Sequence, residues 1–76
     1  MTLNIITFGP LTDIIPSAAL DLQANKVQEL MDELIALYPS LKTYPFQVAV
    51  NQQLAAVGTL LKEGDEIALL PPFSGG

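Results

Sequence analysis

The chain has 76 residues, half of them hydrophobic, which is enough for one small domain but not for two lobes with a cleft between them. It contains no cysteine and no histidine, so disulfides, thiolate or imidazole metal ligands and the commonest general base are excluded. Three basic and eight acidic residues give a net charge of −5, which argues against nucleic acid or an anionic membrane as the main partner.

The first predicted elements form a β-hairpin. The β-branched and aromatic residues of 3–8 predict a strand that Gly9-Pro10 ends, and its nearly continuous apolar character suits a central place in a sheet. Residues 11–17 include Pro16 and predict a loop. The alternation over 18–22 then predicts a second strand that pairs with the first.

A single amphipathic helix follows. Asn25 is its predicted N-cap, with Gln28 three residues later as the other half of a capping box, and Pro39 ends the helix near Tyr38. The apolar residues that recur at helical spacing are Val27, Leu30, Met31, Leu34, Ile35, Leu37 and Tyr38. We expect the acidic residues of the opposite face to form a solvated surface rather than a carboxylate site.

The second half of the chain predicts a further hairpin and a last strand. Residues 46–50 and 53–57 read as antiparallel strands around an Asn51-Gln52 turn, because asparagine tolerates a positive φ. Residues 62–65 predict a turn in which Gly64 takes the permissive position and Asp65 caps it. Residues 66–70 predict the last strand.

Strands before and after one helix predict an α+β fold, namely a β-grasp: a mixed sheet whose first and last strands run parallel at its centre. An antiparallel meander with a helix is the weaker alternative. We assign residues 1–70 to this domain and 71–76 to an extended, flexible tail. One helix covers one sheet face, so residues such as Leu54 and Leu69 could form an apolar docking face on the other.

The tail ends in Gly75-Gly76, and neither residue has a Cβ that could block a narrow channel around the Gly76 carboxylate. Six extended residues span roughly 20 Å at about 3.3 Å each, which suffices to enter the active site of a partner. The pair Pro71-Pro72 stops sheet pairing and restricts the free tail. Phe73 could insert into the partner or fold back on its own sheet, and Ser74 is small enough for a channel.

Three segments closely resemble the small subunit of molybdopterin synthase, a member of the ubiquitin-like MoaD/ThiS family. They are Val48-Ala49-Val50-Asn51, residues 61–68 and residues 70–76, where the family reads AVN, then L-x-D-G-D-E-V-A, then P-P-x-x-G-G. Glu63 and Ile67 are conservative replacements. Many relatives also carry an Arg-Glu pair after the first strand. Residues 11–15 of this chain lack that pair, so the resemblance implies no contacts for this loop.

Because the sequence shows no signal peptide and no apolar run of about 18 residues, we expect a cytoplasmic protein. The resemblance implies a sulfur relay. An E1-like enzyme uses ATP to adenylate the Gly76 carboxylate, sulfur replaces AMP to give a thiocarboxylate, and the large synthase subunit uses that sulfur to build the dithiolene of molybdopterin. The resemblance also implies that Pro71, Pro72, Phe73, Ser74 and Gly75 bind partners as the tail enters them. It implies a heterotetrameric synthase in which this subunit binds no cofactor or metal and is inactive alone.

Other functions remain open. The thiamine-pathway sulfur carrier shares the fold and the Gly-Gly end, although it usually lacks the Pro-Pro pair. A ubiquitin-like modifier would join Gly76 to lysines of other proteins, and a non-covalent adaptor would not need Gly75-Gly76 at all. An independent enzyme is the poorest interpretation, because the chain lacks a nucleophile paired with a base, a phosphate-binding glycine loop and a metal-ligand cluster.

Overall fold

The computed structural model describes residues 1–71, which form a five-stranded sheet and one α-helix. The strands are β1 (Thr2–Thr7), β2 (Ala18–Asp21), β3 (Gln47–Val50), β4 (Gln53–Leu54) and β5 (Glu66–Leu70), and the helix is α1 (Val27–Leu37). Two short 3-10 helices span Gly9–Asp13 and Pro39–Thr43.

The strand order is β2-β1-β5-β3-β4, and only the central pair β1 and β5 runs parallel. Ile5 lies opposite Ile67 in that pair. The predicted β-grasp with its first and last strands parallel at the centre is therefore confirmed, and the antiparallel meander is excluded.

The hydrophobic core lies between α1 and one face of the sheet. Its fully buried large side chains are Leu3, Ile5, Leu11, Ile15, Leu22, Val27, Leu30, Leu34, Ile67 and Leu69. Within residues 1–71, Thr7 is the one buried polar residue, and its Oγ1 donates a hydrogen bond to the carbonyl of Ile15 at 2.8 Å. That bond removes the cost of burying an unpaired hydroxyl.

The start of α1 differs from the prediction. Lys26 is the N-cap and makes no side-chain capping bond, so the capping box between Asn25 and Gln28 is wrong. The first helical amides instead donate to a distant segment: Val27 N–H to the carbonyl of Thr59, and Gln28 N–H to that of Val57, both at 2.9 Å. Tertiary contacts thus satisfy donors that a local cap would otherwise have to satisfy.

Three strands are shorter than predicted, β2 and β3 by one residue each and β4 by three, and β1 keeps its predicted length but is shifted by one residue. The return strand β4 has two residues rather than the five of 53–57, and Val57 beyond it is half exposed. The first strand ends at Thr7, one residue before Phe8. The predicted loop 11–17 has a buried interior, because its apolar residues Leu11 and Ile15 enter the core.

Candidate functional site

The tail leaves the sheet from its centre. Because β1 and β5 are parallel, their carboxyl ends lie at the same end of the sheet, where Thr7 pairs with Leu69. Pro71 follows β5 directly and is half buried. The predicted site residues Pro72, Phe73, Ser74, Gly75 and Gly76 lie outside the described residues, so their roles stay predictions.

An apolar row crosses the sheet face that α1 does not cover. The strand registers align Ile6 with Ala68, Ala68 with Ala49, and Ala49 with Leu54, so four strands contribute one residue each. Side chains alternate between faces along a strand, and the intervening residues Ile5, Ile67 and Val48 belong to the core cluster. The row therefore lies opposite the helix.

Phe8 and Leu70 extend this row toward the tail. Leu70 is two residues beyond Ala68 on β5, and Phe8 is two residues beyond Ile6 in extended backbone, so alternation puts both on the same face. Leu54 is 67% exposed and Phe8 is 47% exposed. We name the side of the sheet that carries Ile6, Phe8, Ala49, Leu54, Ala68 and Leu70 the open sheet face; Ala49 within it is buried, with 5% exposed.

Leu54 is exposed on the sheet face opposite the helix, as predicted, whereas the same prediction is wrong for Leu69; docking on this face stays a prediction. Leu69 is 0% exposed because its register partners, Thr7 and Val48, place it on the helix side. Phe8 was missed, since it was assigned to the buried first strand. The available signal was strand alternation: Phe8, just before Gly9-Pro10, falls on the same face as Ile6 and not on the face of the buried Ile5.

Asn51 and Asp65 join the β3–β4 turn to the turn before β5. The Asn51 side-chain amide donates to Asp65 Oδ1 at 3.0 Å, and Asn51 Oδ1 accepts the Glu66 N–H at 3.0 Å. The other Asp65 oxygen accepts the Lys62 N–H at 2.8 Å. The hydrogen bond from Asn51, and then that from Lys62, holds the pKa of Asp65 below its usual value. Asn51, Asp65 and Glu66 therefore have a structural role in the two turns, as predicted for the turn around Gly64.

The acidic residues of α1 serve the fold as well as the surface. Glu33 accepts hydrogen bonds from the backbone N–H groups of Gln23 and Ala24, all at 3.0 Å, and Glu29 accepts one from the N–H of Asn25 at 2.9 Å.

Across residues 1–71, no group of three or more acidic side chains is arranged to hold a metal ion. No helix in the same range is long and apolar enough to cross a membrane.

A groove of about 370 Å³ lies at the opposite end of the sheet from Pro71. Its lining includes Leu54, Leu60, Lys62 and Asp65. Asp65 is already engaged by Asn51 and Lys62, and no nucleophile is paired with a base among these side chains. The side chains that line the groove therefore offer no catalytic arrangement.

Comparison with known proteins places this architecture in a family. The model of the ThiS family matches residues 5–76, which is nearly the whole chain. The chain belongs to the ThiS family. One relative, the molybdopterin synthase sulfur carrier subunit of Mycobacterium tuberculosis, is 35% identical over 79 residues, which span 96% of this chain and 95% of the relative.

Solved structures agree with this membership. One is a complex of subunits 1 and 2 of the molybdopterin-converting factor of Helicobacter pylori. The matching chain of that complex is 33% identical to this chain, the match covers 100% of each of the two, and the TM-score is 0.69. Small archaeal modifier protein 1 (SAMP1) of Haloferax volcanii is 27% identical over 100% of both chains with a TM-score of 0.77. The resemblance to the MoaD/ThiS family and the ubiquitin-like fold are thereby confirmed.

Proposed function

We propose that this protein is the sulfur-carrier subunit of a molybdopterin synthase and that Gly76 is its reactive residue. The observation that carries the proposal is the attachment of a Pro-Pro-Phe-Ser-Gly-Gly tail to the end of the central strand β5, beside the open sheet face. Membership of the ThiS family, with a relative named as such a subunit, supports it.

The chemistry requires no side chain of this protein. An α-carboxyl group has a pKa of about 3.5, so the Gly76 carboxylate is ionised at neutral pH and can attack the α-phosphate of ATP, releasing pyrophosphate. The product is an acyl-adenylate, whose AMP is a good leaving group. A sulfur nucleophile then forms the C–S bond as the C–O bond to AMP breaks, which leaves a thiocarboxylate.

The two partners are an ATP-dependent adenylating enzyme and the large synthase subunit, both in the cytoplasm. Each must first bind the folded domain and then receive the tail. The open sheet face suits this docking, because Phe8 and Leu54 expose large apolar area on the same side of the sheet from which Leu70 leads into the tail. The complex of subunits 1 and 2 formed by the relative from Helicobacter pylori supports such pairing.

A ubiquitin-like modifier is the second candidate, favoured by the similarity to small archaeal modifier protein 1. The same activated glycyl carbon would then accept a lysine amine and form an isopeptide. The thiamine-pathway carrier uses the same thiocarboxylate and differs in the enzyme that receives the sulfur.

The test is incubation with purified adenylating enzyme, ATP and a sulfur donor, followed by intact and fragment mass spectrometry. We expect one oxygen replaced by sulfur, located at Gly76. We further expect the product to release sulfur to the large synthase subunit rather than to a thiazole synthase. An adenylating enzyme that thiolates a known carrier but leaves this chain unmodified would refute the proposal.

Two controls accompany this test: the first checks that the tail is the reactive segment, and the second separates the carrier from the modifier. Gly75→Ala adds a methyl group next to the reactive carbonyl and should slow adenylation without unfolding the domain, since the tail lies beyond the last strand. Denaturing gels of cell extracts should lack reductant-resistant ladders of heavier adducts. Abundant ladders that disappear on deletion of Gly75-Gly76 would favour the modifier.

A further inference from the structure

The strand β2 forms one edge of the sheet, and its outer side is uncovered. Ala18 and Ala19 are exposed, and the side chain of Asp21 is 81% exposed. Sheet edges are usually protected from pairing with a further strand by a proline, a bulge or a central charge. The four residues of β2 contain no proline, keep a continuous register with β1 and carry a charge only at their last position.

The hydrogen bonds between β1 and β2 determine which backbone groups of β2 point away from the sheet. The Met1 ammonium group donates to the Leu22 carbonyl at 2.7 Å, and the Leu22 N–H donates to the Met1 carbonyl at 2.8 Å. Bonded and non-bonded pairs alternate along an antiparallel ladder, so Ala19 and Asp21 occupy non-bonded positions opposite β1. Their N–H and C=O groups therefore point outward.

Two further hydrogen bonds agree with this pattern. Asn4, the register partner of Ala19, donates its backbone N–H to the Asp65 carbonyl at 2.9 Å, on the side of β5. Gln23, the next outward residue after β2, donates its N–H to the Glu33 carboxylate at 3.0 Å. Within residues 1–71, no hydrogen bond of this kind reaches the outward N–H groups of β2 itself. The edge therefore presents unpaired donors and acceptors to solvent.

We propose that the outer edge of β2 pairs antiparallel with β2 of a second copy of this chain. A two-fold axis at Leu20 sets Ala19 of each copy opposite Asp21 of the partner subunit. Each of these two pairs exchanges two backbone hydrogen bonds, so the pairing uses the outward groups of both strands. Leu20, which is half-buried in the single chain, then faces its own copy across the axis.

The charges at this edge permit self-pairing despite the net charge of −5. Asp21 is the one charged residue of β2, and the Met1 ammonium group lies 3.4 Å from its carboxylate. The two-fold register places each Asp21 opposite an alanine, so like charges do not meet directly. The other charges of the two copies repel each other, and salt screens that repulsion beyond about 8 Å at physiological ionic strength.

This inference goes beyond the proposed function and does not depend on it. The second copy adds its strand in the plane of the sheet, so the open sheet face stays exposed in both copies. β1 separates the new interface from β5, where the tail begins. Because four-residue strands bury little surface, the dimer should be weak.

The test is sedimentation equilibrium of the purified protein from micromolar to millimolar concentration, with NMR of the same samples. We expect a monomer–dimer equilibrium in which the amide shifts of Ala19 and Asp21 change with concentration and that of Leu54, at the other edge, does not. The dissociation constant should fall as NaCl is added, because salt screens the repulsion between two acidic copies.

A protein that stays monomeric at millimolar concentration would overturn the proposal. So would amide shifts at β2 that change only when the adenylating enzyme is added, since the edge would then bind another protein. Association that weakens with added salt would also contradict pairing between two acidic copies.

Charge variants at position 19 test the register. Ala19→Lys sets a lysine opposite Asp21 of the partner subunit twice per dimer, so the dissociation constant should fall roughly threefold to tenfold. Ala19→Glu should raise it by a similar factor. Gln53→Lys makes the same change in net charge at the opposite edge strand and should have an effect of less than about twofold. Equal effects of the two lysine variants would contradict the assigned pairing.

Ala19→Pro tests the hydrogen bonds themselves. The ring removes the outward N–H, and the ladder between β1 and β2 keeps all its bonds. We expect the dissociation constant to rise on the order of tenfold or more, with the amide shifts of Ile5 and Ile67 reporting an intact core. Undiminished association of a folded Ala19→Pro protein would refute the proposal, and the charge variants still test it if this variant fails to fold.

Discussion

At the scale of single residues, Asn51 serves the fold through both its backbone and its side chain. It and Gln52 adopt φ values of 50° and 72°, which make the tight turn between β3 and β4. Its side-chain amide also bonds Asp65 and the N–H of Glu66. The sequence predicted the turn from asparagine's tolerance of positive φ, but the bonds to residues fourteen and fifteen positions away could not be read from local pattern.

Asn51→Gly isolates the side-chain bonds, because glycine keeps the left-handed backbone without strain. We expect a loss of about 1 to 2 kcal/mol in the free energy of unfolding, measured by urea denaturation. Gln52→Gly is the matched control: it has the same backbone requirement and should be neutral or slightly stabilising. Equal destabilisation by the two variants would show that the side-chain network contributes nothing.

Asp65 should give the stability a measurable acid dependence. Its folded-state pKa lies below the value of about 3.9 of an unfolded chain, so its hydrogen bonds stabilise the fold fully above that value. This contribution is lost as the pH falls through the folded-state pKa. The difference in unfolding free energy between wild type and Asp65→Asn should therefore be largest at neutral pH and shrink on acidification. A difference that stays constant as the pH falls would contradict the assigned shift.

At the scale of elements, the sequence predicted the features that follow from hydrophobic periodicity. It missed the features that depend on contacts between segments distant in sequence. The β-grasp order was predicted correctly, and so was the apolar face of α1 except at Leu37, which is 56% exposed; in both cases burial follows the spacing of apolar residues. The helix start was wrong because the carbonyls of Val57 and Thr59, distant in sequence, accept its first amides. The apolar residues of 53–57 resembled a strand, yet Leu54 and Val57 are exposed surface.

The two faces of the sheet should respond oppositely to truncation. Leu69→Ala should cost about 2 to 5 kcal/mol of stability, because Leu69 is fully buried. Leu54→Ala should change stability by less than about 0.5 kcal/mol, because its side chain is largely exposed. Urea denaturation of the two variants measures both effects, and equal losses would contradict the assignment of the faces.

The open sheet face should also contribute to the affinity for the partner proteins. Leu54→Ala should weaken the complex with the adenylating enzyme or the large subunit about tenfold, or about 1.4 kcal/mol. Calorimetry of the purified pair measures this. Undiminished affinity in Leu54→Ala and in a matching Phe8→Ala variant would remove the open sheet face from the docking model.

At the scale of the whole molecule, the proposed function makes the domain the carrier of a tail whose reactivity is supplied by its partners. The net charge of −5 favours partners with basic surfaces, and the central strand β5 connects the open sheet face directly to the tail base. The proposed chemistry of the tail stays a prediction from sequence, because it depends on the identity of residues beyond Pro71, which the structure does not describe.

The most direct measurement is the intact and fragment mass of the protein purified from its native host while that host makes molybdenum cofactor. The account predicts a fraction of molecules in which one oxygen of the Gly76 carboxylate is replaced by sulfur, and loss of that fraction when the adenylating enzyme is deleted. Protein carrying only an ordinary carboxylate under those conditions, or sulfur located at any residue other than Gly76, would contradict it.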